Sequence, residues 1–180
     1  MKSTLQKSQT LILIMETSSD FKHDVFLSYS NKEGTSNSFV GHLYQALVDK
    51  GINTFIKETG EISACIEEIE CSRLLMVVLC ENYGFSTSCL DELVKITQYI
   101  RKQKNSDETP IPIIENKSRN VAAIFYKVEP SDIRKQRNSY KAAFDEHEKN
   151  YGKEDVKIKT WRNALTRVCE LSGVHCKDTA

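Results

Sequence analysis

The chain has 180 residues and a balanced composition: 39% are hydrophobic, 28% are charged, and 25 basic side chains offset 25 acidic ones. This length and hydrophobic content fit one folded domain with short extensions and exclude a wholly disordered chain. The formal net charge of zero gives no signal for nucleic acid or for an acidic membrane surface as a partner. The longest apolar run near the start, residues 11–15, is too short to span a membrane.

Cysteine usage indicates a reducing compartment. The chain contains no C-x-x-C pair, and Cys71 and Cys80, which lie beside or within apolar runs, have no histidine at metal-ligand spacing. We therefore expect reduced thiols, an intracellular protein and no metal site. The six cysteines are Cys65, Cys71, Cys80, Cys89, Cys169 and Cys176.

Strand-like apolar runs alternate with amphipathic helical runs, which predicts an α/β domain with a parallel sheet. Residues 1–21 are rich in Ser, Thr and Lys, and we expect them to form a flexible N-terminal extension. The folded domain is predicted to span residues 22–176, followed by a short tail at residues 177–180.

The first part of the domain predicts a strand, a helix and a second strand. Residues 23–29 form the first strand, and residues 30–35 form a polar loop after it. Gly51 is placed to end the helix in the left-handed conformation, and residues 52–56 form the second strand. The inward face of the helix is predicted to consist of Phe39, Leu43, Ala46 and Leu47.

The most apolar run of the chain, residues 74–80, predicts a central strand covered on both faces. A tight polar connection at residues 57–60 and a helix over residues 61–70 precede it. The inward residues of that helix are predicted to be Ile62, Ile66 and Ile69.

The second half of the domain predicts three further helices and one further strand. Ser88 is the expected N-cap of the first of these helices, and Gly173 follows the last of them. The predicted segments are a helix marked by Leu90, Leu93, Val94 and Ile100, a polar insertion at 102–120, a strand at 121–126, a turn at 129–132, and helices around 139–149 and 157–171.

One site is predicted where the first strand ends. In open α/β sheets, ligands bind outside the carboxyl ends of the strands. Tyr29 and Ser30 lie at such an end, and Glu92 falls in the first turn of the helix that Ser88 begins. A carboxylate in a first turn also has a purely structural explanation, because the helix dipole favours it there.

A series of short motifs runs through the domain. They are 24–29 (DVFLSY), 42–47 (HLYQAL), 50–55 (KGINTF), 72–73 (SR), 81–83 (ENY), 89–93 (CLDEL), 124–136 (IFYKVEPSDIRKQ), 161–165 (WRNAL) and 171–173 (LSG). In these motifs and in their order, the chain resembles the TIR (Toll/interleukin-1 receptor) domain of plant immune receptors over residues 22–176, and the resemblance does not rest on one motif alone.

The resemblance implies a flavodoxin-like, three-layer fold of about five parallel strands flanked by helices. Many plant members of this family cleave NAD+ and release nicotinamide, and their catalytic glutamate lies in the block that contains Glu92 here. NAD+ is then a substrate, and no cofactor is expected. The implied substrate-binding residues are Tyr29, Ser30, Asn31, Lys32, Phe55, Ser86, Ser88 and Cys89.

The resemblance also implies weak association with further copies of the chain and with other TIR domains. The expected contact surface is the first helix around Gly41, His42, Tyr44 and Gln45, where the family usually has Ser-His in place of Gly-His. We expect a signalling role in plant innate immunity and a location in the cytoplasm, with the nucleus as an alternative.

The sequence departs from the family around the expected pocket. Residues 30–36 lack the two arginines that usually follow the first strand, Ser88 replaces a tryptophan, and the loop at residues 57–60 is short. Val174 also replaces a tryptophan near the end of the domain. These departures predict slow NAD+ cleavage.

Two other functions compete with an NAD+ hydrolase. The first is a TIR interaction module that has lost turnover. The second is a receiver-type phosphorylation switch, which needs acidic residues where the first and third strands end. Asp24 lies instead at the start of the first strand, and Cys80 ends the third, so this second reading is disfavoured.

Overall fold

A parallel sheet of five strands, in the order β2-β1-β3-β4-β5, forms the middle layer of the domain. The computed structural model describes residues 21–32, 35–57, 62–100 and 120–177, without the side chains of residues 35–37 and 62–64. This strand order confirms the predicted flavodoxin-like fold. The strands are β1 (His23–Tyr29), β2 (Thr54–Ile56), β3 (Ser72–Leu79), β4 (Asn120–Tyr126) and β5 (Val174–Cys176).

Helices cover both faces of this sheet because successive strand residues point to opposite sides. Phe26 belongs to the larger apolar cluster, which contains residues of α2, α3, α5 and α6. Its neighbour Leu27 belongs to a smaller cluster under α1. The helices are α1 (Thr35–Asp49), α2 (Ile62–Glu70), α3 (Thr87–Thr97), α4 (Pro130–Arg134), α5 (Asn138–Tyr151) and α6 (Val156–Val168), with a 3-10 turn at Tyr83–Phe85.

β3 is the central strand that the sequence predicts. It pairs with β1 on one side and β4 on the other. Val77 and Leu79 are fully buried in the larger cluster, whereas Val78 is buried in the smaller one. The strand therefore has both faces covered, which is why its sequence is continuously apolar.

Several local predictions for the helices and turns are wrong. Ala46 is exposed, because α1 covers only the small cluster and turns a narrow face to the sheet. Ile66 is 37% exposed, since Cys65 and Ile69, four residues apart, define the buried side of α2. The expected turn at residues 129–132 is the start of α4, where Pro130 suits the first helical position. The sequence predicts that the last helix continues to residue 171, but it ends at Val168.

The structure adds β5, which the sequence did not predict, and confirms the left-handed residue after α1. Gly51 has a φ of 73°, as its place two residues after Asp49 required. The predicted extension at 1–21, connection at 57–60, insertion at 102–120 and tail at 177–180 fall almost entirely on residues 1–20, 58–61, 101–119 and 178–180, which lie outside the described residues. The predicted domain boundaries therefore stay predictions.

Candidate active site

The candidate site lies where β1 ends beside the first turns of α3. Ser86, not Ser88, is the N-cap of α3: its hydroxyl accepts from the backbone N–H of Cys89 at 3.3 Å. The helix begins at Thr87, so Glu92 falls in its second turn, and its first turn holds no acidic residue. The helix dipole is thus a weaker explanation for Glu92 than the sequence suggested, because the dipole acts mainly on the first turn.

Glu92 is a buried carboxylate with a donor on each oxygen. Its side chain is 1% exposed. The hydroxyl of Ser28, on β1, donates to Oε2 at 2.8 Å, and the ammonium of Lys57, directly after β2, donates to Oε1 at 2.8 Å. A buried charge is tolerated only when it is paired and hydrogen-bonded in this way.

Two hydroxyl groups, those of Ser28 and Tyr83, form a short hydrogen-bonded chain that ends at Oε2 of Glu92. The hydroxyl of Tyr83 lies 2.9 Å from Oγ of Ser28 and donates to the carbonyl of Cys89 at 3.0 Å. Tyr83 is fully buried, and burial raises the pKa of its hydroxyl well above the usual value. The phenol therefore stays neutral at physiological pH and keeps a proton to donate.

Cys89 lies beside Glu92 and Lys57, and its side chain is a protonated thiol. Its Sγ donates to the carbonyl of Tyr29 at 3.2 Å, and the Lys57 ammonium is 3.6 Å away. Burial raises the pKa of Cys89, although Lys57 opposes this. Burial likewise raises the pKa of Cys65, helped by the charge of Glu92. Since the thiolate is the reactive form, neither cysteine is a good nucleophile.

Asp91, the neighbour of Glu92, points away from the pocket. It accepts a hydrogen bond from Nε1 of Trp161 at 2.8 Å, and Nζ of Lys157 lies 3.3 Å from it. Trp161 is fully buried in α6. The two adjacent carboxylates therefore divide their roles: Asp91 ties α3 to α6, whereas Glu92 faces the end of the sheet.

The structure places several predicted substrate-binding residues near this site. The backbone of Tyr29 accepts from Cys89, and its hydroxyl donates to the carbonyl of Lys57 at 3.4 Å. Ser30 is buried, and its hydroxyl accepts from the backbone of Lys32 at 3.4 Å. The hydroxyls of Ser86 and Ser88 lie 2.9 Å apart.

Three other predicted residues lie outside this group of contacts. Nζ of Lys32 sits 5.1 Å above the Phe85 ring, and Asn31 is exposed. The ring of Phe55 stacks on Phe26, at 5.5 Å between centroids, and also contacts His23. Phe55 is thus a residue of the larger apolar cluster, and the binding roles of all these residues stay predictions.

Ser28, Lys57 and Tyr83 are site residues that the sequence did not single out. Lys57 could have been found, because it directly follows β2 and so lies at the same edge of the sheet as Tyr29. Ser28 sits inside an apolar strand and Tyr83 inside a loop, and neither position signals a contact with Glu92.

The predicted contact surface on α1 is open. Gly41, His42 and Gln45 are exposed and Tyr44 is half-buried. No atom lies within 4 Å of where a Cβ on Gly41 would be. Gln45 donates to Asp49 within the helix at 2.8 Å.

In the described part of the chain, no cluster of three or more His, Cys, Asp or Glu side chains is arranged to hold a metal ion. Among the same residues, no helix combines the length and apolar character needed to cross a membrane.

Strand order and pocket together define a flavodoxin-like α/β domain with a buried carboxylate at its topological switch point, between β1 and β3. The chain belongs to the TIR domain family, whose model matches residues 22–180.

Its relatives are plant disease resistance proteins. The chain is 41% identical to the TMV resistance protein N of Nicotiana glutinosa over 87% of its own length and 13% of the relative. It is 41% identical to the disease resistance protein RPV1 of Vitis rotundifolia over 87% of its own length and 10% of that protein. It is 32% identical to the probable disease resistance protein RPP1 of Arabidopsis thaliana over 88% of its own length and 12% of that protein. The chain thus spans about an eighth or less of these relatives.

A solved structure agrees with this assignment. The TIR domains in the structure of the activated Roq1 resistosome, which directly recognises the pathogen effector XopQ, are 37% identical to the chain, with a TM-score of 0.70. The match covers 88% of this chain and 90% of that one.

Proposed function

We propose that this TIR domain acts in plant innate-immune signalling and slowly cleaves NAD+ into nicotinamide and ADP-ribose, with Glu92 as the catalytic carboxylate. One observation carries the proposal. Glu92 is buried at the carboxyl edge of the sheet, with Ser28 and Lys57 each donating to it at 2.8 Å. Burying a carboxylate costs free energy of folding, and buried charged groups of this kind are concentrated at catalytic and ligand-binding sites.

The chemistry of the reaction requires a group of this kind. When the bond between nicotinamide and ribose breaks, its electron pair leaves with nicotinamide and positive charge builds on the sugar ring. A carboxylate beside the ribose stabilises that charge, as in glycoside hydrolysis. Water then adds its oxygen to the ribose carbon and releases a proton, and nicotinamide departs neutral without needing a strong acid.

Two features support slow turnover. The ammonium of Lys57 already occupies Oε1 of Glu92, so a ribose has to displace it, whereas Ser28 orients the carboxylate through Oε2. The loop after β1 also lacks arginine, and losing such electrostatic and positioning groups commonly costs about 100-fold or more each.

The test is nicotinamide release by the purified protein at high concentration. We expect Glu92→Gln to lower turnover about 100-fold or more, because the amide cannot offset the charge on the ribose. Asp91→Asn is the matched control: it changes the adjacent carboxylate in the same way, and the amide oxygen can still accept from Trp161. Turnover that survives Glu92→Gln unchanged would exclude this mechanism.

A TIR interaction module without turnover is the second candidate. The 1% exposure of Glu92 favours it, because a substrate reaches a carboxylate covered in this way only after Lys57 has moved. The discriminating result is a wild-type protein that releases no nicotinamide even when assembled.

Self-association belongs to both candidates. We infer weak contacts between copies, or with other TIR domains, through Gly41, His42, Tyr44 and Gln45 of α1, because this face of the helix is open. The likeness to the TIR domains of the Roq1 resistosome supports this inference. The proposed location is the cytoplasm, with the nucleus as an alternative.

A further inference from the structure

Lys57 is a nearly buried lysine whose ammonium covers the carboxylate of Glu92. Its side chain is 11% exposed and its Nζ contacts both Oε1 of Glu92 and Sγ of Cys89, at 2.8 and 3.6 Å. Its backbone is tied to the end of β1, because the Tyr29 hydroxyl donates to its carbonyl. Lys57 is therefore held at the site by side chain and backbone together.

The charge balance of the pocket depends on this one contact. Burial lowers the pKa of Lys57, but the negative charges of Cys89, when ionised, and of Glu92 outweigh burial and raise it. At neutral pH the raised pKa of Cys89 keeps that thiol neutral, so the charge that faces the Lys57 ammonium there is that of Glu92, 2.8 Å away. Among these groups, Lys57 is the positive charge that compensates Glu92.

A ligand that reaches Glu92 has to move this ammonium aside. Leaving a buried carboxylate without its partner is strongly unfavourable, so a neutral ligand would have to bear that cost in full. A ligand that brings its own positive charge restores the balance, and only such a ligand exchanges with the lysine at little cost.

We propose that Lys57 is a displaceable counter-ion that makes the site selective for a cationic ring, so that a dinucleotide with an oxidised, positively charged nicotinamide ring is admitted and the reduced form, whose ring is neutral, is not. This inference rests on the proposed function, since it concerns the substrate of the same site. NAD+ carries a positive pyridinium ring and a negative diphosphate. The pyridinium ribose takes the place of the ammonium beside Glu92.

The first test asks whether the ion pair exists in solution, with no nucleotide present. Urea unfolding is compared for the wild type, Lys57→Met, Glu92→Gln and the double variant. We expect Lys57→Met to cost about 100-fold or more in the folding equilibrium, because it strands the carboxylate, and to cost much less in the Glu92→Gln background. Lys95→Met is the control, since Lys95 is on the same helix as Glu92 but pairs with Glu70. Additive costs for the two single variants would overturn the proposal.

The second test compares binding of NAD+ and NADH by ligand-observed NMR. We expect the wild type to prefer NAD+, and Lys57→Met to bind NAD+ about tenfold more tightly with little change for NADH, because the competing ammonium is gone. Lys57→Arg keeps the charge and should keep the wild-type behaviour, which covers the case in which Lys57→Met does not fold. Equal binding of NAD+ and NADH by the wild type and by every folded Lys57 variant would overturn the proposal.

These outcomes separate the inference from the proposed function. Selective NAD+ binding that Lys57 controls, without nicotinamide release, would remove the hydrolase and leave the counter-ion in place. Glu92-dependent nicotinamide release, with equal binding of NAD+ and NADH, would keep the hydrolase and exclude the role of Lys57 as a selective counter-ion.

Discussion

Ser28 shows how much one hydroxyl in a strand can decide. It is fully buried and bridges two groups, donating to Oε2 of Glu92 at 2.8 Å and lying 2.9 Å from the Tyr83 hydroxyl. We expect Ser28→Ala to cost about 1–3 kcal/mol in the free energy of unfolding, because both neighbours lose a partner in a buried place. We also expect it to lower nicotinamide release, because one oxygen of Glu92 is no longer held.

Ser72→Ala is the matched control for Ser28→Ala. Ser72 is equally buried, but it is the first residue of β3 and so lies at the opposite edge of the sheet from Ser28. Its hydroxyl donates to the backbone carbonyl of Glu68 at 2.7 Å. It should destabilise the protein by a similar amount in urea titrations and leave turnover per folded molecule unchanged. If both variants lose turnover alike, Ser28 acts through general stability rather than through Glu92.

At this scale the sequence was informative for Glu92 and uninformative for its partners. The resemblance identified the glutamate because it lies within a short linear motif. Ser28 is 64 residues from Glu92 in the chain and Lys57 is 35 residues away. Contacts over such distances are made by the sheet, and no local pattern in β1 or β2 encodes them.

Element by element, the predictions worked where many residues repeat one signal. β3 is recognisable because its last six residues, 74–79, are all apolar, and α3 because its apolar face persists for eleven residues. β5 has only three residues, two of them exposed, so it carries no alternation that could predict it. Its place in the sheet is set by β4, with which it pairs from Ile124 to Tyr126.

Gly173 is the residue that lets β5 reach the sheet. A Cβ here would lie 2.3 Å from Cε2 of Phe125 and 2.9 Å from the backbone oxygen of Ala123, and both neighbours are buried. We expect Gly173→Ala to lower the free energy of unfolding by about 1–3 kcal/mol through overpacking, and to increase hydrogen exchange at the β4–β5 pairing.

Gly41→Ala is the control for Gly173→Ala. Gly41 lies inside α1 and has open space around it, so alanine there should stabilise the protein by about 0.5–1 kcal/mol. Equal effects of the two substitutions in urea titrations would mean that β5 is not packed as described.

The whole domain should lose stability at alkaline pH. Burial raises the pKa of Cys169 from 9.0 to about 12, and it raises the pKa of Tyr83 and Tyr140 well above their usual values. The folded protein thus holds protons that the unfolded chain releases. Stability from Cys169 is complete below pH 9.0 and declines as pH rises through its folded pKa.

Lys57 acts in the same direction at higher pH, because its pKa is raised above 10.5: its contribution is complete below pH 10.5 and is lost as pH rises through its folded pKa. We expect the urea midpoint to fall between about pH 9 and pH 11, by an amount that corresponds to about 1 kcal/mol per pH unit for Cys169. The tyrosines and Lys57 add to this fall only above pH 10.0 and pH 10.5, respectively. Cys169→Ala should make this decline shallower. A midpoint that is constant over this range would contradict the buried, neutral state of these groups.

The proposed self-association is argued at the scale of the whole molecule, and the structure limits the strength that we expect of it. A symmetric contact built on one face of α1 buries little area, so it should be transient. The formal net charge of zero adds no long-range repulsion between copies.

Sedimentation at rising concentration should shift toward a dimer, and His42→Ala should reduce the shift because His42 projects from the exposed side of the helix. Asn150→Ala, at an exposed position on α5, should not change it. A dimer that is indifferent to His42, or a monomer at every concentration, would exclude this surface and favour association with a different TIR domain.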